Sequence, residues 1–308
     1  MQVDKLGLAK AYQHINQPPA GSTILPRKWV FDIKCDKEDV ITEFRARWVI
    51  YGNRQRPGFD FNDTYTPVAR PESTRLFLTM VALQQFHWEQ IDYTTAYLNA
   101  LIDERCIFMR SPTGYETPGM VCMINQAMYG LRQSACLWYE TIRHQLEELR
   151  FQQIPDERCI FMHKKRNIWL LLYVDDTLCA AKSKDDIEWL KKSISFKIKV
   201  IREPARFLRY SLTRSNEGIF IDQGAYVEDL LRTASLGRVN STYLPMKTSY
   251  QPPFSTTNVL PQGKAAFEEN DELVSPREKA AFGEDVGKVG WLTMRTRPDI
   301  AFAVNRLQ

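Results

Sequence analysis

The strongest constraint on how this chain folds is a pair of apolar runs separated by four residues. Ile168-Trp169-Leu170-Leu171-Leu172 leads into Tyr173-Val174-Asp175-Asp176, and Thr177-Leu178-Cys179-Ala180-Ala181 leads out. Each run has strand length and strand composition, so the segment predicts a buried hairpin with two carboxylates at its tip. Burying such strands beside two adjacent charges is costly unless something offsets those charges. A divalent cation does so, since Mg²⁺ takes oxygen ligands from one or two carboxylates and leaves positions for phosphates. An Asp-Asp pair alone is more often a solvated turn, and its weight here comes from the flanking strands.

A third carboxylate lies about eighty residues upstream, in Trp88-Glu89-Gln90-Ile91-Asp92-Tyr93-Thr94-Thr95-Ala96-Tyr97-Leu98-Asn99. Asp92 ends a strand-like stretch, and Thr94 or Thr95 is placed to start a helix after it. By itself Asp92 reads as a cap or turn aspartate. With Asp175 and Asp176 it makes three carboxylates on two neighbouring strands, enough oxygen for two Mg²⁺ ions about 4 Å apart. That arrangement activates an attacking hydroxyl and stabilises a departing pyrophosphate, and phosphoryl transfer needs little else.

Further blocks follow one another along the chain. They are Trp29-Val30-Phe31-Asp32-Ile33-Lys34, Arg45-Ala46-Arg47-Trp48-Val49 before Gly52, and Thr66-Pro67-Val68-Ala69-Arg70. After Ile91-Asp92 and Ala96-Tyr97-Leu98-Asn99 come Tyr129-Gly130-Leu131-Arg132-Gln133-Ser134-Ala135 and Trp138-Tyr139. Beyond Tyr173 to Asp176 lie Thr296-Arg297-Pro298-Asp299-Ile300 and Ala303-Val304. In this order and spacing the blocks resemble the reverse transcriptase of copia-type long-terminal-repeat retrotransposons (Pseudoviridae), from about Lys28 onward. The resemblance implies an α+β fold of the right-hand polymerase type, with fingers, a palm built on an antiparallel sheet, and a thumb. It implies an RNA-directed DNA polymerase that joins deoxynucleoside triphosphates to a primer 3′-hydroxyl on an RNA or DNA template. Two Mg²⁺ ions are its implied cofactors, with Mn²⁺ able to substitute. Members of the family continue into a ribonuclease H domain whose acidic cluster this sequence lacks, so the polymerase region alone is expected, in a larger polyprotein or an oligomer. The other reading is a truncated or decayed relic that binds nucleic acid or a partner without catalysis.

By resemblance, Asp92, Asp175 and Asp176 are the catalytic, metal-binding carboxylates of the palm. Asp92 and Asp175 are the principal ligands, with Asp176 turned away if the strand stays extended. Tyr97 stands where the family excludes a 2′-hydroxyl, against the plainer reading of a core tyrosine. Arg45 and Arg47 alternate on a strand and share a side, where the family contacts the triphosphate, although two arginines on an exposed strand are ordinary. Gln133 stands where the family touches the templating nucleotide, and Tyr173, Leu208 and Arg209 where it holds primer and template. The chain departs from the pattern at Tyr51, where the family has a lysine, and at Ala135-Cys136, which replaces Ala-Pro at a helix start. Arg209 replaces the glycine of an aromatic-Leu-Gly turn, a strained choice if the turn needs a positive φ.

The 308 residues suffice for two or three subdomains. No apolar run approaches the ~20 residues of a membrane span, and no secretory segment follows Met1. An intracellular protein, cytoplasmic in a particle or nuclear, is therefore expected. Six scattered cysteines and four scattered histidines argue for reduced thiols and against zinc. The net charge of +4 is modest for a nucleic-acid partner, but Lys182 to Arg214 holds ten Lys or Arg against four Asp or Glu. That excess suits the phosphates of a duplex, while Asp185 to Lys192 also reads as a solvated amphipathic helix. The expected order is a lead-in at 1–27, fingers, palm and thumb over 28–246, a linker at 247–275, and the start of a connection at 276–308. Helices are predicted at Ser73–Gln85 and Tyr226–Ala234. The seven residues Asp103–Met109 recur as Asp156–Met162, each copy a turn into a short strand.

Overall fold

A computed structural model describes residues 8–35, 40–102, 106–111, 113–114, 116–234, 240, 242–246 and 275–307. The expected linker at 247–275, Ser275 excepted, lies outside the described residues, as do residues 1–7 of the lead-in. The chain opens with α1 (Leu8–Ala11), β1 (Tyr12–Ile15), β2 (Ile24–Leu25), β3 (Arg27–Cys35) and β4 (Ile41–Ile50). Next come α2 (Pro71–Leu83), β5 (His87–Tyr93), β6 (Ile107–Met109), β7 (Val121–Ile124) and α3 (Ser134–Glu148). Then follow β8 (Gln152–Ile154), β9 (Glu157–His163), β10 (Ile168–Tyr173), β11 (Asp176–Ala181), α4 (Lys184–Ser193) and β12 (Ile198–Arg202). The last elements are β13 (Arg206–Phe207), β14 (Tyr210–Ser215), β15 (Gly218–Asp222), α5 (Gly224–Thr233), α6 (Pro276–Thr293) and α7 (Ala301–Leu307). Two compact units result, Met1–Pro204 and Ala205–Gln308.

The first unit is built on a six-stranded sheet of order β12-β5-β11-β10-β9-β8, antiparallel throughout. The expected hairpin is its centre, and every residue of β11 after Asp176 is buried. That position explains why β10 and β11 read as continuous apolar runs rather than alternating ones. On one face Trp138, Ile142 and Leu146 of α3 and Ile187 and Leu190 of α4 pack with Ile91, Tyr93, Leu170 and Leu172. Burial of each such side chain is worth about 1.5–3 kcal/mol. Helix α4 starts at Ser183, whose hydroxyl accepts from the backbone N–H of Asp185. Helix α2 starts two residues before the expected Ser73 because Pro71 pre-sets its first turn. The two copies of the repeated string go to different sheets, the first as β6 and the second as β9, and both bury their Ile-Phe pair.

A four-stranded sheet of order β1-β7-β6-β2 and the long β3–β4 hairpin complete this unit. The hairpin is fastened where two glycine segments touch. The Ile50 N–H donates to the Tyr129 carbonyl at 2.9 Å. A Cβ on Gly52 would lie 2.0 Å from the Gly130 carbonyl oxygen, and one on Gly130 would lie 2.1 Å from that of Ile50. Gly130 also sits at φ +95°, so only glycine meets both demands.

In the second unit β13, β14 and β15 form a three-stranded sheet beside α5, α6 and α7. Phe207 pairs with Tyr210 across a two-residue turn, and Leu208 and Arg209 hold φ at +50° and +64°. Positive φ at both central residues is the type I′ hairpin turn, which favours Asn and Gly. The Arg209 guanidinium lies 5.5 Å from the Tyr226 ring centroid. Helix α6 opens with a capping box in which Ser275 and Glu278 bond reciprocally.

Candidate active site

Asp176, the first residue of β11, is the register partner of Asp92 near the end of β5. Directly opposed residues share a sheet face, so the two carboxylates are neighbours. Alternation puts Gln90 on that face as well, and its amide donates to Asp176 Oδ1 at 3.0 Å. Asp175 lies in the turn with Val174. The Asp175 carbonyl accepts from Tyr93 N–H at 3.0 Å, and the Val174 carbonyl accepts from the Trp138 indole at 2.7 Å. Val174 holds φ at +52°, a costly conformation for a β-branched residue. It persists because the indole from α3 and the β10–β11 register fix the turn from both sides.

Burial pushes the Asp175 carboxyl up, the Asp92 charge pushes it further, and Arg47 opposes the rise. Burial also raises Asp176, the Gln90 bond pulls it back, and the charges of Asp175 and Asp92 push it up again. Half-buried carboxylates that repel one another are short of positive charge. Among the described residues no group of three or more His, Cys, Asp or Glu is placed to hold one ion. Asp92 raises Asp175, and both raise Asp176, which also accepts the Gln90 bond, so the three carboxylates act on one another. This donor set fits Mg²⁺, which takes one or two carboxylates and completes its shell with water and phosphate oxygens.

The helix expected to start at Thr94 or Thr95 is instead one 3-10 turn, Ala96–Asn99. Thr95 is left-handed at φ +54° and makes no cap bond. The Asn99 amide bonds the carbonyls of Thr94, Thr95 and Ala96, which competes with a regular helix. The turn sets Tyr97 edge-on to Tyr129, with ring centroids 4.9 Å apart. Burial and then the Asp175 charge raise the Tyr97 hydroxyl. Tyr129 is raised by burial and Asp175 and lowered by Arg47, whose guanidinium lies 5.9 Å from its ring. Arg47 and Arg45 share a face of the β3–β4 hairpin with Lys28 and Asp32. Arg47 approaches Asp32 at 3.8 Å, and Arg45 bonds Glu43 at 3.1 Å.

The structure thus gathers Asp92, Asp175, Tyr97, Arg47 and Arg45 around Tyr129, with Asp176 paired to Asp92. Sequence reasoning gave no role to Tyr129 or Gln90. The available signals were Tyr129 heading the Tyr-Gly-Leu-Arg-Gln block and Gln90 preceding Asp92 by one alternation. Tyr173, the partner of Asp176, is half-buried at the hairpin mouth. Gln133 is only 3% exposed and faces the interior. It accepts from Gln55 at 2.9 Å and donates to the Asp60 carbonyl at 3.1 Å. Together with Ser134, which donates to the Met128 carbonyl, it fixes the start of α3 without the family's proline. Leu208 and Arg209 lie in the second unit. At Tyr51, where the lysine is missing, the Lys28 ammonium rests 5.7 Å from the ring centroid.

A profile described as "Reverse transcriptase (RNA-dependent DNA polymerase)" matches residues 9–248. The Pol polyprotein from transposon TNT 1-94 of Nicotiana tabacum is 30% identical over 298 residues, covering 93% of this chain and 22% of that protein. The Pol polyprotein from transposon RE1 of Arabidopsis thaliana is 29% identical over 297 residues, covering 94% of this chain and 19% of its own length. The Ty1-ER2 Gag-Pol polyprotein of Saccharomyces cerevisiae is 24% identical over 277 residues, covering 85% and 15%. The chain therefore spans about a fifth of the length of these relatives. A solved foamy viral protease-reverse transcriptase in complex with double-stranded DNA matches at 13% identity and a TM-score of 0.42, over 78% of this chain and 36% of that one. The profile spans most of the chain and encloses the aspartate hairpin, the tyrosine pair and the arginine strand, and the chain belongs to the reverse transcriptase family, in the form carried by Pol polyproteins of copia-type transposons.

Proposed function

We propose that this region performs RNA-directed DNA synthesis, extending a primer 3′-hydroxyl along an RNA or DNA template. The observation that carries the reading is the register pairing of Asp92 with Asp176, with Asp175 in the adjoining turn. Asp92 and Asp175 would hold the divalent cations, and Asp176, bonded to Gln90, steadies the end of β11. Mg²⁺ bound there would activate the primer hydroxyl and neutralise the pyrophosphate leaving group. Tyr97, backed by Tyr129, would lie under the incoming sugar and reject a 2′-hydroxyl. Arg47 would meet the triphosphate, with Arg45 and Lys28 on the same hairpin face. The interior Gln133 would act at a distance, by fixing the 52–61 segment against α3 rather than by touching a base. In this assignment β3–β4 belongs to the fingers, the six-stranded sheet to the palm, and α5 to the thumb. Leu208 and Arg209 are assigned to the primer.

A second reading, nucleic-acid binding without catalysis, is favoured by the positive φ of Arg209 where the family has glycine. The test is extension of a DNA primer on an RNA template, in Mg²⁺ and then Mn²⁺, beside an Asp175→Asn, Asp176→Asn variant. The parent is expected to extend and the variant to lose extension while both bind duplex in EDTA. A folded parent that binds duplex and never extends would leave the second reading in place.

A further inference from the structure

The end of the six-stranded sheet away from the aspartates has its own chemistry. There β9 and β10 are joined by Lys164-Lys165-Arg166-Asn167, and β11 runs out into Lys182. A cavity of about 1030 Å³ opens at this end, lined by Arg150, Lys164, Lys165, Arg166 and Lys182, with Asp186 the one acid among its lining residues. Asp186 bonds Arg166 at 2.8 Å, and Arg166 also lies 4.2 Å from the Trp189 ring centroid. Arg150, Lys164, Lys165 and Lys182 are exposed and form no ion pair among the described residues.

The wall also contains a built donor. His163 is 6% exposed, and Phe151 and Trp189 hold its ring edge-on at 5.2 and 5.4 Å. Its Nδ1 accepts from the Arg166 N–H at 3.1 Å, which in the neutral ring leaves the proton on Nε2. Among the described residues no hydrogen-bond partner is found for that Nε2–H. The six register pairs of β10–β11 separate this cavity from the aspartate turn by about 20 Å, so the two are distinct sites.

We propose that the cavity binds phosphate groups, as carried on the backbone of a nucleic-acid strand held outside the catalytic end. Lysine ammoniums act as point charges for phosphate, and the arginine fork and the Nε2–H donate to its oxygens. The unpaired cations come from three separate connections, following α3, β9 and β11. Successive phosphates of a strand match that spread better than one small anion does. Polymerase activity plays no part in this inference, since binding is read directly.

The test titrates the full chain carrying Lys164→Ala, Lys165→Ala and Lys182→Ala with a labelled single-stranded oligonucleotide and, separately, with tripolyphosphate. Oligonucleotide affinity is expected to fall roughly 10- to 100-fold at 0.1 M salt, and the slope of log K on log salt to flatten by about 2. His163→Phe keeps the ring packing and removes the donor, and about a tenfold loss is expected. Loss of tripolyphosphate binding alone supports the site and names free phosphate as its occupant. Unchanged binding of both probes overturns the proposal. So does an equal loss from Lys10→Ala, Arg277→Ala, Lys279→Ala, a variant with the same charge change at exposed residues that neither line the cavity nor belong to the basic segment at 182–214.

Discussion

Arg209 holds φ at +64° in a two-residue turn that favours Asn or Gly. A left-handed conformation costs a side-chain-bearing residue roughly 1–2 kcal/mol, and the contact with Tyr226 offsets about 0.5–1 kcal/mol of it at an exposed site. Comparing Arg209→Gly with Arg209→Ala isolates the backbone effect, because both lose the ring contact. The glycine variant is expected to be more stable than the alanine variant by about 1 kcal/mol in chemical denaturation. Equal stabilities would show that the turn relaxes. At this scale the aspartates were legible because adjacent charges between apolar strands demand a compensating partner. The strain at Val174 was not, because a dipeptide does not reveal the turn its strands enforce. Gln133 was legible as part of a block, but its burial depends on Gln55 and Asp60, far away in sequence.

Among the elements, the junction of the β3–β4 hairpin with the loop before α3 depends on two missing side chains. Gly130→Ala must bear both its φ of +95° and an overlap with the Ile50 carbonyl. A loss of about 3 kcal/mol or more is expected. Gly119, at φ +75° with open space where a Cβ would lie, is the control, and alanine there should cost about 1 kcal/mol. Equal costs from urea denaturation would mean that the close approach is not under compression. Helices α2 and α4 could be read from their amphipathic pattern, while the start signals Pro71 and Ser183 place their first turns one or two residues earlier than that pattern alone. The helix expected after Asp92 could not, because Asn99 competes for the carbonyls a helix would use. The glycine junction was equally hidden, since Gly52 and Gly130 look like ordinary turn residues until their backbones meet.

Across the whole molecule, the α+β class and the antiparallel sheet could be read because the apolar runs are strand-length and the helices carry one apolar face. The gathering of Tyr129, Arg47 and Asp175 could not, since they come from separate elements brought together only by packing. Likewise, the grouping of β13 to β15 with the C-terminal helices, beyond Pro204, leaves no local mark in the sequence. The repeated string shows the same limit in chemical terms. Cys106 and Cys159 hold the same place in their copies, yet Cys106 is exposed and Cys159 is buried. Burial, with the Glu157 carboxylate adding to it, pushes the Cys159 thiol up to about 12. Iodoacetamide on the native chain, followed by tryptic peptide mapping, should therefore carbamidomethylate the Cys106–Arg110 peptide and spare Cys159–Lys164 until the protein is denatured. Equal early labelling of both would refute the burial of β9. Two tryptic peptides sharing the same first four residues thus form an internally controlled footprint, in which the difference in labelling reports the fold around each thiol.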